Sequence, residues 1–115
     1  AAPINIFSLA YPETTSNWSN RFQMFRTQNM WTFILLDSYN GRLWQVQYST
    51  QDLDNLFCIP INKYELVSDN EKCIFSIQPL TSMYQYYLIN DNTGDMWKFQ
   101  WSTKGDDYRW IEKFK

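Results

Sequence analysis

The chain contains no histidine. With it go the commonest general base and the commonest metal ligand, and so the familiar nucleophile–histidine arrangements and ordinary zinc chemistry. Three glycines and four prolines in 115 residues exclude collagen-like or linker-like character. Two cysteines are too few for a disulfide framework, and Cys58 and Cys73 are either bridged or two buried free thiols. The longest apolar run, Phe33-Ile34-Leu35-Leu36, falls far short of the ~20 residues a membrane span needs. No charged-then-apolar leader is read in it, and its start at Ala1-Ala2-Pro3, without an initiator Met, fits either a removed leader or added residues. That leans towards an exported protein, periplasmic or extracellular. Ten Lys and Arg against twelve Asp and Glu leave a formal charge of −2 and no basic block. Nucleic acid is therefore not an expected partner, because its affinity rests largely on neutralising phosphates.

What the chain has in quantity is aromatic mass: six Trp, eight Tyr and eight Phe. Such a composition folds. Its organisation emerges on sliding the chain along itself by 53 positions, which lays Phe22–Asn62 over Phe75–Lys115 without a gap. Nine pairs are then identical, among them Leu35 with Leu88, Gly41 with Gly94, Trp44 with Trp97 and Gln47 with Gln100. Like stands for like at Trp31 and Tyr84, Phe33 and Tyr86, and Tyr48 and Trp101. A period near 50 is in the range of all-β repeats. The expected layout is one domain, residues 1–115, made of two repeats (22–62 and 75–115) behind an N-terminal extension (1–21).

Each repeat reads as four short strands with no helical period. In the first they are Phe22–Arg26, Met30–Asp37, Arg42–Tyr48 and Phe57–Ile61; in the second, Cys73–Gln78, Met83–Asn90, Asp95–Trp101 and Tyr108–Phe114. Asn40-Gly41 and Thr93-Gly94 mark the central hairpins, where left-handed backbone is needed. Pro60 points to a sheet edge or strand end. Ile4 and Ile6, within Pro3–Tyr11, echo Phe57 and Ile59 and suggest an extra edge strand. The hairpin register pairs Leu36 with Leu43, Leu35 with Trp44, Phe33 with Val46 and Trp31 with Tyr48, and in the second repeat Leu88 with Trp97, Tyr86 with Phe99 and Tyr84 with Trp101. One face of each hairpin is thus wholly apolar. The other carries Thr32, Ile34, Leu36, Leu43, Gln45 and Gln47, then Gln85, Tyr87, Ile89, Met96, Lys98 and Gln100, and is mixed.

A propeller blade is covered on both faces, whereas a sheet in a sandwich or barrel needs only one buried face. The asymmetry therefore predicts an all-β protein in which two tandem four-stranded antiparallel meanders pack as one sandwich or flattened barrel. The tryptophan faces are expected to meet about a pseudo-twofold axis; propeller-like blades completed by oligomerisation are the alternative.

The stretches Leu35-Leu36-Asp37-Ser38-Tyr39-Asn40-Gly41-Arg42-Leu43-Trp44 and Leu88-Ile89-Asn90-Asp91-Asn92-Thr93-Gly94-Asp95-Met96-Trp97 follow the pattern L-x-D-x-x-T-G-x-x-W. It resembles the hairpin repeat of small bacterial tandem-repeat proteins of uncharacterised function and, more distantly, the tryptophan-docking repeats of quinoprotein-type propellers. Asn40 stands for Thr in the first copy and Asn90 for Asp in the second, and Trp follows Gly by three positions where the quinoprotein repeat has four. The resemblance implies a hairpin with a tryptophan anchor and nothing about a quinone; no cofactor is expected.

Asp37 and Asn90 fall at hairpin entrances, where a short acceptor side chain bonds the turn's own amides. Asn90–Asp95 looks like a calcium loop but lacks the bidentate Glu, since the twelfth position is Gln100. No metal is expected there, and Asp52, Asp54, Asp106 and Asp107 read as solvated loop charges. Neither cysteine lies in a motif that would activate its thiol. Enzymatic activity is not expected. The remaining functional reading is recognition: amides and a ring at Gln45, Gln47, Gln85, Tyr87, Lys98 and Gln100 make a candidate surface for a protein partner, or for a glycan held by stacking and hydroxyl hydrogen bonds. Trp18, Tyr39 and Tyr108 form a second candidate group, and Asn17-Trp18-Ser19 is a formal glycosylation sequon. The expected function is a non-enzymatic binding or structural module engaging another protein; a lectin-like module assembling into a propeller is the alternative.

Overall fold

The computed structural model describes residues 20–49, 56–68 and 70–115. Eight strands form two separate antiparallel sheets, each a simple meander. The first sheet runs β1 (Phe22–Arg26), β2 (Thr32–Asp37), β3 (Arg42–Gln47) and β4 (Phe57–Pro60); the second runs β5 (Phe75–Pro79), β6 (Gln85–Asn90), β7 (Met96–Gln100) and β8 (Trp110–Lys113). A 3-10 turn, Asp106–Tyr108, precedes β8. The proposed strand from Pro3 to Tyr11, Trp18 and the sequon, and Asp52 and Asp54 lie outside the described residues.

Register follows side-chain alternation and turn chemistry. Leu36 faces Leu43, Leu35 faces Trp44 and Phe33 faces Val46; in the second sheet Leu88 faces Trp97 and Tyr86 faces Phe99. Gly41 and Gly94 both adopt φ +82 at the end of their turns, a region that a Cβ strains. Pro60 and Pro79 close the edge strands β4 and β5. The next amides turn inward: the N–H of Ile61 donates to Leu43 O and that of Leu80 to Gln85 O, at 2.8 and 3.1 Å. Because amides alternate along a strand, each proline occupies an outward-facing position, so neither ladder loses a bond.

The two sheets share one buried cluster: Ile34, Leu36, Leu43 and Ile61 from the first repeat, and Phe75, Tyr86, Leu88, Trp97, Phe99 and Trp101 from the second. A fully buried side chain of this size stabilises by about 1.5–3 kcal/mol, which makes the shared layer the main source of stability. The sandwich of two meanders is thus as the repeat implied, with one correction. Only the second sheet turns its tryptophan face inward. The first turns its mixed face inward, with Ile34, Leu36, Leu43 and Gln45 all at 0% exposure. Trp31, Phe33, Leu35, Trp44, Val46 and Tyr48 are half-buried and neither belong to the shared cluster nor pack against it. Equivalent faces therefore do not meet, as a twofold between the tryptophan faces requires; the front of the second repeat lies on the back of the first.

The connector between the repeats fastens this arrangement. Leu66 N–H donates to Asn40 O at 2.7 Å, and the amides of Ile74 and Phe75 both donate to Ser38 O. Asn62, buried, bonds the amide of Leu43 and the carbonyl of Gly41 through its two side-chain ends. Cys58 and Cys73 are free thiols, and Cys73 Sγ lies 3.3 Å from Asn20 O.

Candidate functional site

The Asp37 and Asn90 side chains at the hairpin turns are structural. Asp37 Oδ1 accepts the Tyr39 amide at 3.1 Å, and Asn90 Oδ1 accepts those of Asn92 and Thr93 at 2.9 and 3.1 Å. Register places Asp37 beside Arg42, yet its carboxylate engages Arg21, whose Nε and Nη2 donate to the two oxygens at 2.9 Å each. The hydrogen bond from Arg21 to Asp37 holds the guanidinium above its already high ordinary pKa. The same guanidinium lies over the Tyr39 ring at 4.8 Å.

The six candidate binding residues divide between two places. Gln45 is sealed between the sheets. Its Oε1 accepts the Ser102 amide at 3.1 Å and Arg109 Nε at 2.8 Å, while its Nε2 donates to Gln47 Oε1 at 3.4 Å. Gln47 Oε1 also accepts the Thr32 hydroxyl at 2.8 Å. This polar knot joins the two repeats and commits the Gln45 carboxamide to the fold. Burial explains the requirement, since a carboxamide removed from water costs free energy unless its atoms are bonded.

Gln85, Tyr87, Lys98 and Gln100 share the outer face of the second sheet. Gln85 Nε2 donates to Gln100 Oε1 at 2.8 Å, and Gln100 Nε2 to Tyr108 O at 2.9 Å. The Tyr87 ring tilts against Phe114 at 5.7 Å. Lys98 stands beside Glu112 on β8 and lines an open depression with Trp110 and Ile111. Ile89 and Met96 complete this face and are half-buried. Of the loop aromatics, Tyr108 is half-exposed under Lys104, whose Nζ lies 5.6 Å from the ring.

A larger apolar surface lies on the outer face of the first sheet, which the sequence reading assigned to the core. There Trp31 packs edge-on to Tyr48 at 5.3 Å and Phe33 lies 5.9 Å from the same ring. Phe22 meets Trp44 at 6.4 Å, and the Arg42 guanidinium caps the indole at 4.9 Å. Phe22 and Met24 are more than half exposed. The signal that could have found it is charge: the inward face of the first repeat carries no ionisable side chain, whereas its copy in the second carries Lys98. A face free of charge is the easier one to bury.

Among the described residues no group of three or more Cys, Asp or Glu side chains converges in a way that could hold a metal ion. Nor is any described helix long and apolar enough to cross a membrane. Comparisons with protein-family models, curated proteins and solved structures return no match to this chain.

Proposed function

We propose that this chain is a non-enzymatic interaction module that engages a protein partner through the aromatic outer face of its first sheet. The observation carrying the reading is the position of Trp31, Phe33, Leu35, Trp44, Val46 and Tyr48 outside the shared core. Contiguous apolar surface with tryptophan, tyrosine and a neighbouring arginine is the composition of interface centres. The absence of histidine and the structural use of Asp37 and Asn90 support a role without turnover. A photo-crosslinking side chain at position 46 tests it, with one at the exposed Lys63 as the control. The expected result is one defined protein adduct at position 46, lost on Trp44→Glu; equal labelling from both positions overturns the reading.

A second reading, sugar recognition, draws support from Trp110, which lines the depression on the second sheet together with Lys98 and Glu112. An aromatic plane flanked by charged hydrogen-bonding groups suits pyranose stacking. The amides of Gln85 and Gln100 satisfy each other, which weakens it. A glycan array with Trp110→Ala and Tyr87→Ala controls decides: binding lost in the variants supports sugar recognition, and a blank array removes it.

A further inference from the structure

The contact between the two repeats inside the chain joins unlike surfaces. The front of the second repeat (Tyr86, Leu88, Trp97, Phe99, Trp101) covers the back of the first (Ile34, Leu36, Leu43, Gln45). A front-to-back contact leaves one front and one back unused. The unused front is the aromatic face of the first sheet, and the unused back is the outer face of the second.

The 53-residue offset makes these two faces chemical copies of the pair already joined. On the front, Trp44 corresponds to Trp97, Leu35 to Leu88, and Tyr48 to Trp101. On the back, Ile89 corresponds to Leu36, Met96 to Leu43, and Lys98 to Gln45. We infer that the outer face of the second sheet of one copy of this chain docks on the aromatic face of the first sheet of another, repeating the internal contact and joining copies head to tail into a closed ring. The inference rests on the proposed interaction role of that aromatic face and names its partner as a second copy.

One coupled exchange between the repeats argues for this occupant. Inside the chain Gln45 receives Arg109 from the opposing repeat. In the contact between copies Lys98 takes the place of Gln45, and an arginine at the position matching Arg109 would set two cations against each other. That position is Leu56, which is 62% exposed. A leucine there accepts the aliphatic stem of Lys98, which stands opposite Glu112 in the strand ladder. The polar pair inside and the lysine–leucine pair outside each avoid an unpaired buried charge.

Unlike faces that join head to tail produce rings when the rotation closes and open filaments when it does not. Four-stranded sheets stacked around an axis close at about four to eight units, which corresponds to about two to four chains. Native mass spectrometry and light scattering on the intact chain test this. The expected species is one discrete oligomer in that range, and Trp44→Glu (front) and Met96→Glu (back) each reduce it to single chains with unchanged circular dichroism. Val46→Lys and Ile89→Lys replace either variant that fails to fold. Mixing a front variant with a back variant then gives a one-to-one pair, because each retains the face the other needs. A wild type monomeric at its highest soluble concentration, an oligomer insensitive to both variants, or variants that do not pair when mixed overturns the inference. If the chain is monomeric while position 46 still crosslinks one other protein, the interaction role stands and self-assembly falls.

Discussion

Asp37 and Asn90 close the same turn in the two repeats, and each has the environment its charge requires. Both are buried. Arg21, which grips the Asp37 carboxylate, stands 53 residues before Ile74, so the second turn has no matching cation and uses an uncharged acceptor.

Exchange at this position is therefore expected to be unequal. Asp37→Asn keeps the acceptor for the Tyr39 amide and loses only the pairing with Arg21, whereas Asn90→Asp buries a carboxylate without a cation. The second costs about 3 kcal/mol or more at neutral pH; because burial raises the pKa of the new acid, the loss recovers as the pH falls through that raised value towards the ordinary carboxylate range. Urea unfolding of both variants at pH 7 and pH 4 measures the difference.

The glycines of the two hairpins share one φ and differ in surroundings. A Cβ on Gly41 would sit 2.9 Å from Leu66 Cδ1 and 3.1 Å from the Phe75 ring, while one on Gly94 meets nothing within 4 Å. Gly94→Ala is expected to cost about 1–2 kcal/mol of backbone strain. Gly41→Ala adds about 1–3 kcal/mol of overpacking, read from the two melting temperatures.

Gln45 and Lys98 are also equivalent, and only Gln45 lies between the sheets. Gln45→Lys places a second cation against Arg109 and is expected to destabilise by about 3–5 kcal/mol. Lys98→Gln on the outer face changes the folding stability of a single chain by no more than about 0.5 kcal/mol. Unfolding curves at low protein concentration make the comparison.

Burial pushes the Tyr86 hydroxyl up to about 12 from its ordinary 10.0. The folded state therefore holds this proton more tightly than the unfolded chain does. Its contribution is complete below pH 10.0 and is lost as the pH rises to about 12. Tyr86→Phe should flatten the alkaline limb of the stability profile relative to wild type in that window, and an unchanged limb would show that the phenol is not sealed.

Strand pairing was legible because it is local: alternation and the Asn-Gly and Thr-Gly turns dictate Leu36 opposite Leu43 and Leu88 opposite Trp97, whatever the sheets then pack against. Which face of the first sheet turns inward was not legible from apolarity alone. Its wholly apolar side has the greater hydrophobic content, yet the second repeat's tryptophan face is satisfied equally well by Ile34, Leu36 and Leu43 with Gln45 bonded to Ser102 and Arg109. That bonding joins residues more than fifty positions apart, and no local pattern announces it. Hence Gln45 read as a half-exposed ligand contact, although its amide is held within the fold.

Pro60 and Pro79 leave one of the two outermost strands of each meander, β4 and β5, without an N–H at a point where a passing extended chain would seek a donor. Sideways recruitment of foreign strands, the route to cross-β fibrils, is impeded there, so a protein this rich in β-forming aromatics keeps a measure of protection against aggregation along its borders.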